Sequence, residues 1–470
     1  MNAPFDPILE TGAPEQAQAR TPEARLISLS YLVLRGLTAA FAVATGFVQT
    51  FVFARVLDPE RFAVFIVTAA VAYSLWIADL GLAKIAFVNL RVPHLAATRD
   101  GRAAREAGAV VVFYILLGLG ASLVCFAAVL ARTGAPHDAF DLALFLCFVA
   151  LNLPWSALRS ISLAVDLFVF FERLELLRRV LSVAALLAML AGLPLTLFVA
   201  GMNVLWAVLL VAAIGVLGRR GALALHVRYF PRELHAFLAA NWPAIRRSAT
   251  GALSELFVVT FPYYVVPIAF GLGAGPIILD TVFKIFRGAC VIFAAVCDLA
   301  IPGQTRAYNA GDARRLVLTT LIAVGLCAIP ALCASALLIF GGEELYRFLL
   351  RTAASVPPQV TPIVVVLLLA GIFQIVAEAL LQYTGYFRSL AWNGVILVAM
   401  MVVATIVAFA MKLGLVGFLA CYATAYALGA AFVTTAAILG PFRAAAAAPG
   451  EKPTLAGLVK ALRTARPQAA

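Results

Sequence analysis

Apolar residues in this chain do not alternate with polar ones; they run in blocks. Twelve such blocks, at 29–54, 62–83, 107–131, 139–164, 174–193, 198–218, 244–270, 276–301, 316–340, 361–383, 389–411 and 415–439, are separated by short polar turns. Each has about the 20 residues a helix needs to cross a bilayer core of about 30 Å. Alternating strand patterns are absent, and lipid offers no partner to unpaired backbone. The pattern therefore predicts an all-α integral membrane protein of 12 transmembrane helices.

Composition agrees. The chain is 64% hydrophobic and 12% charged, whereas a soluble domain is about 45–50% apolar and about 25% charged. Charge placement adds an orientation. Of 35 Lys and Arg, 25 fall on the side of the termini and six on the other, at Arg55, Arg61, Arg132, Arg347, Arg351 and Lys412. That bias predicts cytoplasmic N- and C-termini for a multi-pass protein of the inner (cytoplasmic) membrane. The net charge of +12 could suggest nucleic acid, but the charges flank spans and no soluble basic domain is present.

The blocks divide the chain. Residues 1–27 read as a disordered cytoplasmic tail without a signal-peptide pattern. Residues 28–218 form an N-terminal lobe of six spans, and 244–440 a C-terminal lobe of six. Between them 219–243 is basic and interleaved with Leu, Tyr, Phe and Trp, which predicts a helix lying on the inner leaflet. Residues 441–470 form a second tail, where Leu455, Leu458, Val459 and Leu462 share a face beside Lys460, Arg463 and Arg466. The longest outer loop is expected at 341–360. Both halves open with a span, an outer turn and a second span ending in an Asp-Leu pair, Asp79-Leu80 and Asp298-Leu299. Six-span halves that repeat keep their orientation, so the expected symmetry is a parallel pseudo-two-fold axis along the membrane normal, with a cleft between the two bundles.

Polar residues inside spans are candidates for function, because burying them in lipid is costly. Arg35, Thr38, Thr45 and Gln49 lie along one stripe of the first span. Arg35 either lines a cavity or snorkels to the inner surface. Asp280, Lys284, Arg287 and Asp298 share a face of the eighth span. Lys284 is about 13 Å deep and Arg287 about 18 Å, near the midplane, where neither reaches water easily. Asp280 is placed one turn before Lys284 to pair with it, which leaves surplus positive charge. Lys84, near the end of its span, reads as a snorkelling cation or a further cavity charge. Glu255 shares a face with Ser248 and Pro262, and Gln374, Glu378 and Gln382 make a stripe on the tenth span. Glu255 or Glu378 would neutralise Arg35 or Arg287, or carry a coupling ion.

Catalytic chemistry has no visible carrier. The four His are expected in loops, and the seven Cys in spans as apolar thiols without metal-ligand spacing. No GxxxxGK[ST] motif occurs. The reading is a non-enzyme without cofactor or metal.

The hairpin ARVLDPERFAVFIVTAAVAYSLWIADLGLAK carries Arg55, Leu57, Pro59, Glu60, Phe62 and Asp79-Leu80-Gly81-Leu82. It resembles the first hairpin of the polysaccharide-exporter (Wzx-type oligosaccharide flippase) branch of the multidrug/oligosaccharidyl-lipid/polysaccharide (MOP) transporters. Asp58 and Ala63 stand where that pattern has glycines. LFVFFERLELLRRVLSVAALLAML resembles the family's fourth-to-fifth connection, and AIPGQTRAYNAGDARR, with Pro302 and Gly311-Asp312, its eighth-span exit. The resemblance implies a V-shaped, MATE/MOP-like bundle that alternates between inward- and outward-open states. It implies a flippase moving a polyprenyl-diphosphate-linked oligosaccharide across the inner membrane for surface polysaccharide assembly. The substrate diphosphate would meet the cavity cations, and partners would include the bilayer and a polysaccharide polymerase or other assembly proteins. The alternatives are a cation-coupled multidrug exporter of the same superfamily, or a non-transporting membrane component of polysaccharide assembly.

Overall fold

The computed structural model describes residues 29–95, 101–225, 227–447 and Thr454. The expected N-terminal tail and the amphipathic helix near the C-terminus lie outside the described residues. Those described are helical, with no strand among them. The helices are α1 (Leu29–Val56), α2 (Pro59–Ser74), α3 (Leu82–Leu95), α4 (Gly101–Thr133), α5 (Pro136–Ala150), α6 (Asn152–Ala164), α7 (Phe168–Leu190) and α8 (Leu195–Arg219). They continue with α9 (Phe230–Phe270), α10 (Ala274–Asn309), α11 (Ala313–Leu350), α12 (Val360–Tyr383), α13 (Phe387–Ala410), α14 (Gly414–Ala437) and the short α15 (Arg443–Ala446).

Among the described residues, eight helices are long and apolar enough to cross a membrane, or nine if the bent Ala274–Ile301 and Gly303–Asn309 pair counts as one. Three of the twelve expected spans are not among them. The second breaks after α2, and α7 carries Glu172, Arg173, Glu175, Arg178 and Arg179 in its first half. In α9 the apolar stretch among the described residues is Phe257–Phe270.

The second expected span is broken. Asp58 starts α2 by accepting a hydrogen bond from the Arg61 amide at 2.8 Å, with Pro59 pre-set for the first turn. The helix ends at Ser74, and a 3₁₀ turn over Leu75–Asp79 leads to Leu80 at φ 42° and Gly81 at φ 81°. Gly81 takes this left-handed backbone without a Cβ clash. The Asp-Leu-Gly-Leu sequence thus marks a mid-span break, where Asp79 caps the start of α3 by accepting from the Ala83 amide at 3.2 Å.

Two loop expectations are also corrected. The basic linker is no separate surface helix, because 230–243 are the first turns of α9, continuous with the seventh span. Phe237 and Ile245 are buried against α3 and α4 of the first half, and Arg105 pairs with Glu233 at 3.1 Å. The expected outer loop at 341–360 is mostly helix, since α11 continues to Leu350. His94, His137 and His235 sit in terminal turns of α3, α5 and α9 rather than in loops. The cysteines are free thiols, Cys297 and Cys327 buried but Cys333 exposed.

α1 packs on α10 and α2 on α9, two contacts that exchange when the halves are swapped, as a pseudo-two-fold requires. Where the cores lie gives the molecule its shape. At the end away from the termini, one apolar cluster is continuous across both halves, joining Val52, Phe53 and Phe65 to Val266, Ile277, Phe283 and Leu349. At the terminus-bearing end the core is divided. One cluster, around Leu90, Trp155, Trp206 and Phe237, holds the first half and the start of α9. Two others, around Leu316, Leu380 and Val433 and around Phe293 and Cys327, belong to the second half. The halves meet at one end and part at the other.

Candidate functional site

The floor of the parting is a small, shallow cleft formed by α2, α9 and α10. Ala69, Ala70 and Tyr73 line it from the first half; Thr260, Tyr263, Asp280 and Arg287 line it from the second. Sequence order explains the assembly. Asp280, Lys284 and Arg287 fall on one face of α10 because their spacing is four then three residues.

Asp280 is the hub. Its side chain is 7% exposed, with one oxygen 2.6 Å from Lys284 Nζ. The other oxygen accepts from the Tyr263 hydroxyl at 3.1 Å and lies 3.6 Å from Arg287 Nη2. Lys284 also donates to Thr50 Oγ1 of α1 at 2.8 Å, joining the halves. Arg287 donates through Nη2 to the Tyr263 hydroxyl at 2.7 Å and through Nε to the Phe283 carbonyl at 3.3 Å. Its guanidinium lies 5.8 Å from the Tyr73 ring centroid and 5.5 Å from that of Tyr263, rings from opposite halves. One carboxylate against two cations leaves a net positive charge. Arg287, at 30% side-chain exposure against 15% for Lys284, is the cation more open to the cleft.

The other predicted residues are dispersed. Asp298 is exposed further along α10 toward the open end, in the fields of Arg35 and Arg159. Arg35 pairs with Glu172 of α7 at 3.4 Å, and Arg159 reaches the same oxygen at 3.0 Å. Arg35 is thus paired with Glu172, which precedes the fifth expected span and was not among the expected partners. Thr38 and Thr45 donate to carbonyls of their own helix, leaving Gln49, half-buried, as the polar residue of that stripe not closed on α1. Gln374 donates to Glu378 at 2.6 Å, and Asn393 lies 3.5 Å from the same carboxylate, so this stripe forms a network inside the second half. The side chains of Lys84 and Glu255 lie outside the described residues.

Sequence reasoning missed two features. Tyr263 and Tyr73 enter the site as aromatic hydroxyls; the signal available was the Pro262-Tyr263-Tyr264 run within an apolar span. Arg178, counted among the cytoplasmic charges, is buried. It is paired with Glu175, and its guanidinium lies 4.2 Å from the Trp206 ring centroid.

No family model matches the chain, and no curated protein matches it in sequence. Solved structures do match in fold. A multidrug resistance MATE family transporter of the MOP superfamily in its inward-facing conformation aligns at TM-score 0.59 and 15% identity, over 86% of this chain and 97% of that one. An outward-facing MATE transporter of the same superfamily aligns at TM-score 0.59 and 14% identity, over 90% and 96%. A MOP superfamily transporter from Pyrococcus furiosus Vc1, for which reverse polarity of the binding pocket suggests a different function, aligns at TM-score 0.59 and 13% identity, over 86% and 93%. The fold is that of the MATE-like transporters.

Proposed function

We propose that this protein is an alternating-access flippase that carries an anionic, polyprenyl-diphosphate-linked oligosaccharide across the inner membrane. The observation that carries the reading is Arg287: a mid-span guanidinium open to a cleft of net positive charge, between tyrosines of the two halves. A planar guanidinium holds phosphate oxygens bidentately. The same charge repels the cationic substrates of a multidrug exporter. That one fold neighbour has a pocket of reverse polarity supports the idea that this fold serves different substrates.

The parting lies at the end richer in Lys and Arg, and the positive-inside bias supports reading it as an inward-open state that loads from the cytoplasmic leaflet. Outward passage of each negative charge gains about 2.3 kcal/mol per 100 mV of inside-negative potential, which supplies a driving force without ion coupling.

The test is reconstitution in liposomes with a fluorescent polyprenyl-diphosphate oligosaccharide, scored by its transfer between leaflets. Wild type transfers it and Arg287→Ala does not. Transport of a cationic dye with no transfer of the lipid-linked sugar would establish the multidrug reading instead.

A further inference from the structure

The three groups at the cleft floor do not pair in the simplest way. A guanidinium beside a buried carboxylate ordinarily closes on it with two parallel hydrogen bonds. Here Arg287 Nη2 stops 3.6 Å from Asp280. The Tyr263 hydroxyl bridges them, accepting from Nη2 at 2.7 Å and donating to the carboxylate at 3.1 Å. The second carboxylate oxygen is held by Lys284 at 2.6 Å, and Lys284 is itself fixed by Thr50. Both faces of Asp280 are therefore occupied by groups other than Arg287. Nη1 of Arg287 makes no hydrogen bond among the described residues, and it belongs to a side chain that lines the cleft.

We infer that Tyr263 is a positioning residue whose hydroxyl, bridging guanidinium and carboxylate, takes the hydrogen bond that Arg287 would otherwise give to Asp280 and so holds it available to an anion. Lys284 completes the device: it neutralises Asp280 in place, so the acid does not recruit the second cation. The site spends its aspartate on a buried lysine and presents its arginine. Without the hydroxyl, the nearest anion to Arg287 is Asp280 itself, and a ligand diphosphate must compete with it. The inference rests on the anion reading of the cleft, and it names the residue that makes that reading work.

The test uses the full chain in nanodiscs with farnesyl diphosphate as the probe. Tyr263→Phe is expected to weaken binding about tenfold, the usual weight of a lost hydrogen bond to a charged group. The same substitution in an Asp280→Asn/Lys284→Met background, where no acid is left to capture Arg287, is expected to cost less than about twofold, because the coupled partner is gone. Phenylglyoxal labelling, read at Arg287 by peptide mass spectrometry, needs no ligand: Arg287 is expected to be labelled in wild type and protected in Tyr263→Phe. Equal loss of affinity in both backgrounds, or unchanged labelling of Arg287, would overturn the inference. If wild type binds no farnesyl diphosphate while Tyr263→Phe still protects Arg287, the positioning role stands and the anion reading falls.

Discussion

The molecule holds the same charge arrangement, one acid with two cations, in two places. In the first half, Glu175 pairs with Arg178 and accepts from Arg179 at 2.8 Å. Trp155 of α6 closes this group by donating to Glu175 at 2.6 Å, and Trp206 of α8 covers Arg178. The hydrogen-bond and ring partners named here belong to α6, α7 and α8. The second group, Asp280 with Lys284 and Arg287, instead touches Thr50 of α1, Tyr73 of α2 and Tyr263 of α9. Charge count does not separate the two groups; their partners do. The first lies within one half, whereas the second lies on the seam between the two.

The largest effect should come from the static group. Glu175→Gln strands Arg178 in a buried site, and loss of one member of such a pair costs about 3–5 kcal/mol. A strongly lowered unfolding temperature of the purified protein is expected, with transport lost alongside the fold. Replacing Glu175 and Arg178 together by Leu and Met should recover most of that stability, since no lone charge remains. Arg287→Ala should do the reverse: Asp280 keeps Lys284, so unfolding shifts by less than about 1 kcal/mol, while lipid-linked sugar transfer falls by more than about tenfold. If Arg287→Ala and Glu175→Gln have matching effects on stability and transport, the distinction between the two groups collapses.

A smaller effect is expected where the halves meet. Arg55 of α1 reaches across to the end of α11, donating to the carbonyls of Phe348 at 2.6 Å and Leu349 at 3.2 Å, with its guanidinium 3.5 Å from the Phe51 ring centroid. A cation on the last carbonyls of a helix also meets its dipole favourably. Arg55→Ala should remove about 1 kcal/mol from the closed end and raise the opened population several-fold, measured by spin-label distances across that end.

The smallest effect lies at the open end. Asp166 accepts from Arg91 at 2.7 Å and pairs with His94 at 3.0 Å. Burial raises its pKa, but these hydrogen bonds and charges outweigh it and hold the carboxyl below the ordinary carboxylate value. A lowered folded value means stability that is present above the unfolded pKa of about 3.9 and is lost as pH falls through the folded one. The difference in unfolding temperature between wild type and Asp166→Asn should persist down to about pH 5 and close below about pH 4. At this half-exposed site it should correspond to under about 1 kcal/mol.

The fold was legible where the signal was long. The spans realised in α1, α4, α8 and α11 to α14 follow from apolar runs, because each such run has one low-energy solution in lipid. The break after Ser74 was not legible: its determinants, Asp79 as a cap and left-handed backbone at Leu80 and Gly81, look in sequence like the end of a span. At the site, helical spacing alone brought Asp280, Lys284 and Arg287 together. It could not show that Tyr263, seventeen residues before Asp280 in the chain, bridges two of them. Nor could it reveal Arg178, whose neighbours Arg173 and Arg179 made it look like one more topological charge.

The long helix α9 has a further consequence. Its first turns are locked to α3 and α4 by Phe237 and the Arg105–Glu233 pair, and its last turns carry Tyr263 into the cleft. The natural place to divide this chain is therefore the stretch before Phe230, not the middle of the connection between six-span halves. A protein cut there keeps α9 whole, hooked into the first fragment like the tongue of a buckle, so two co-expressed fragments have a built-in means of finding each other. A cut inside α9 severs that tongue and leaves the fragments without it.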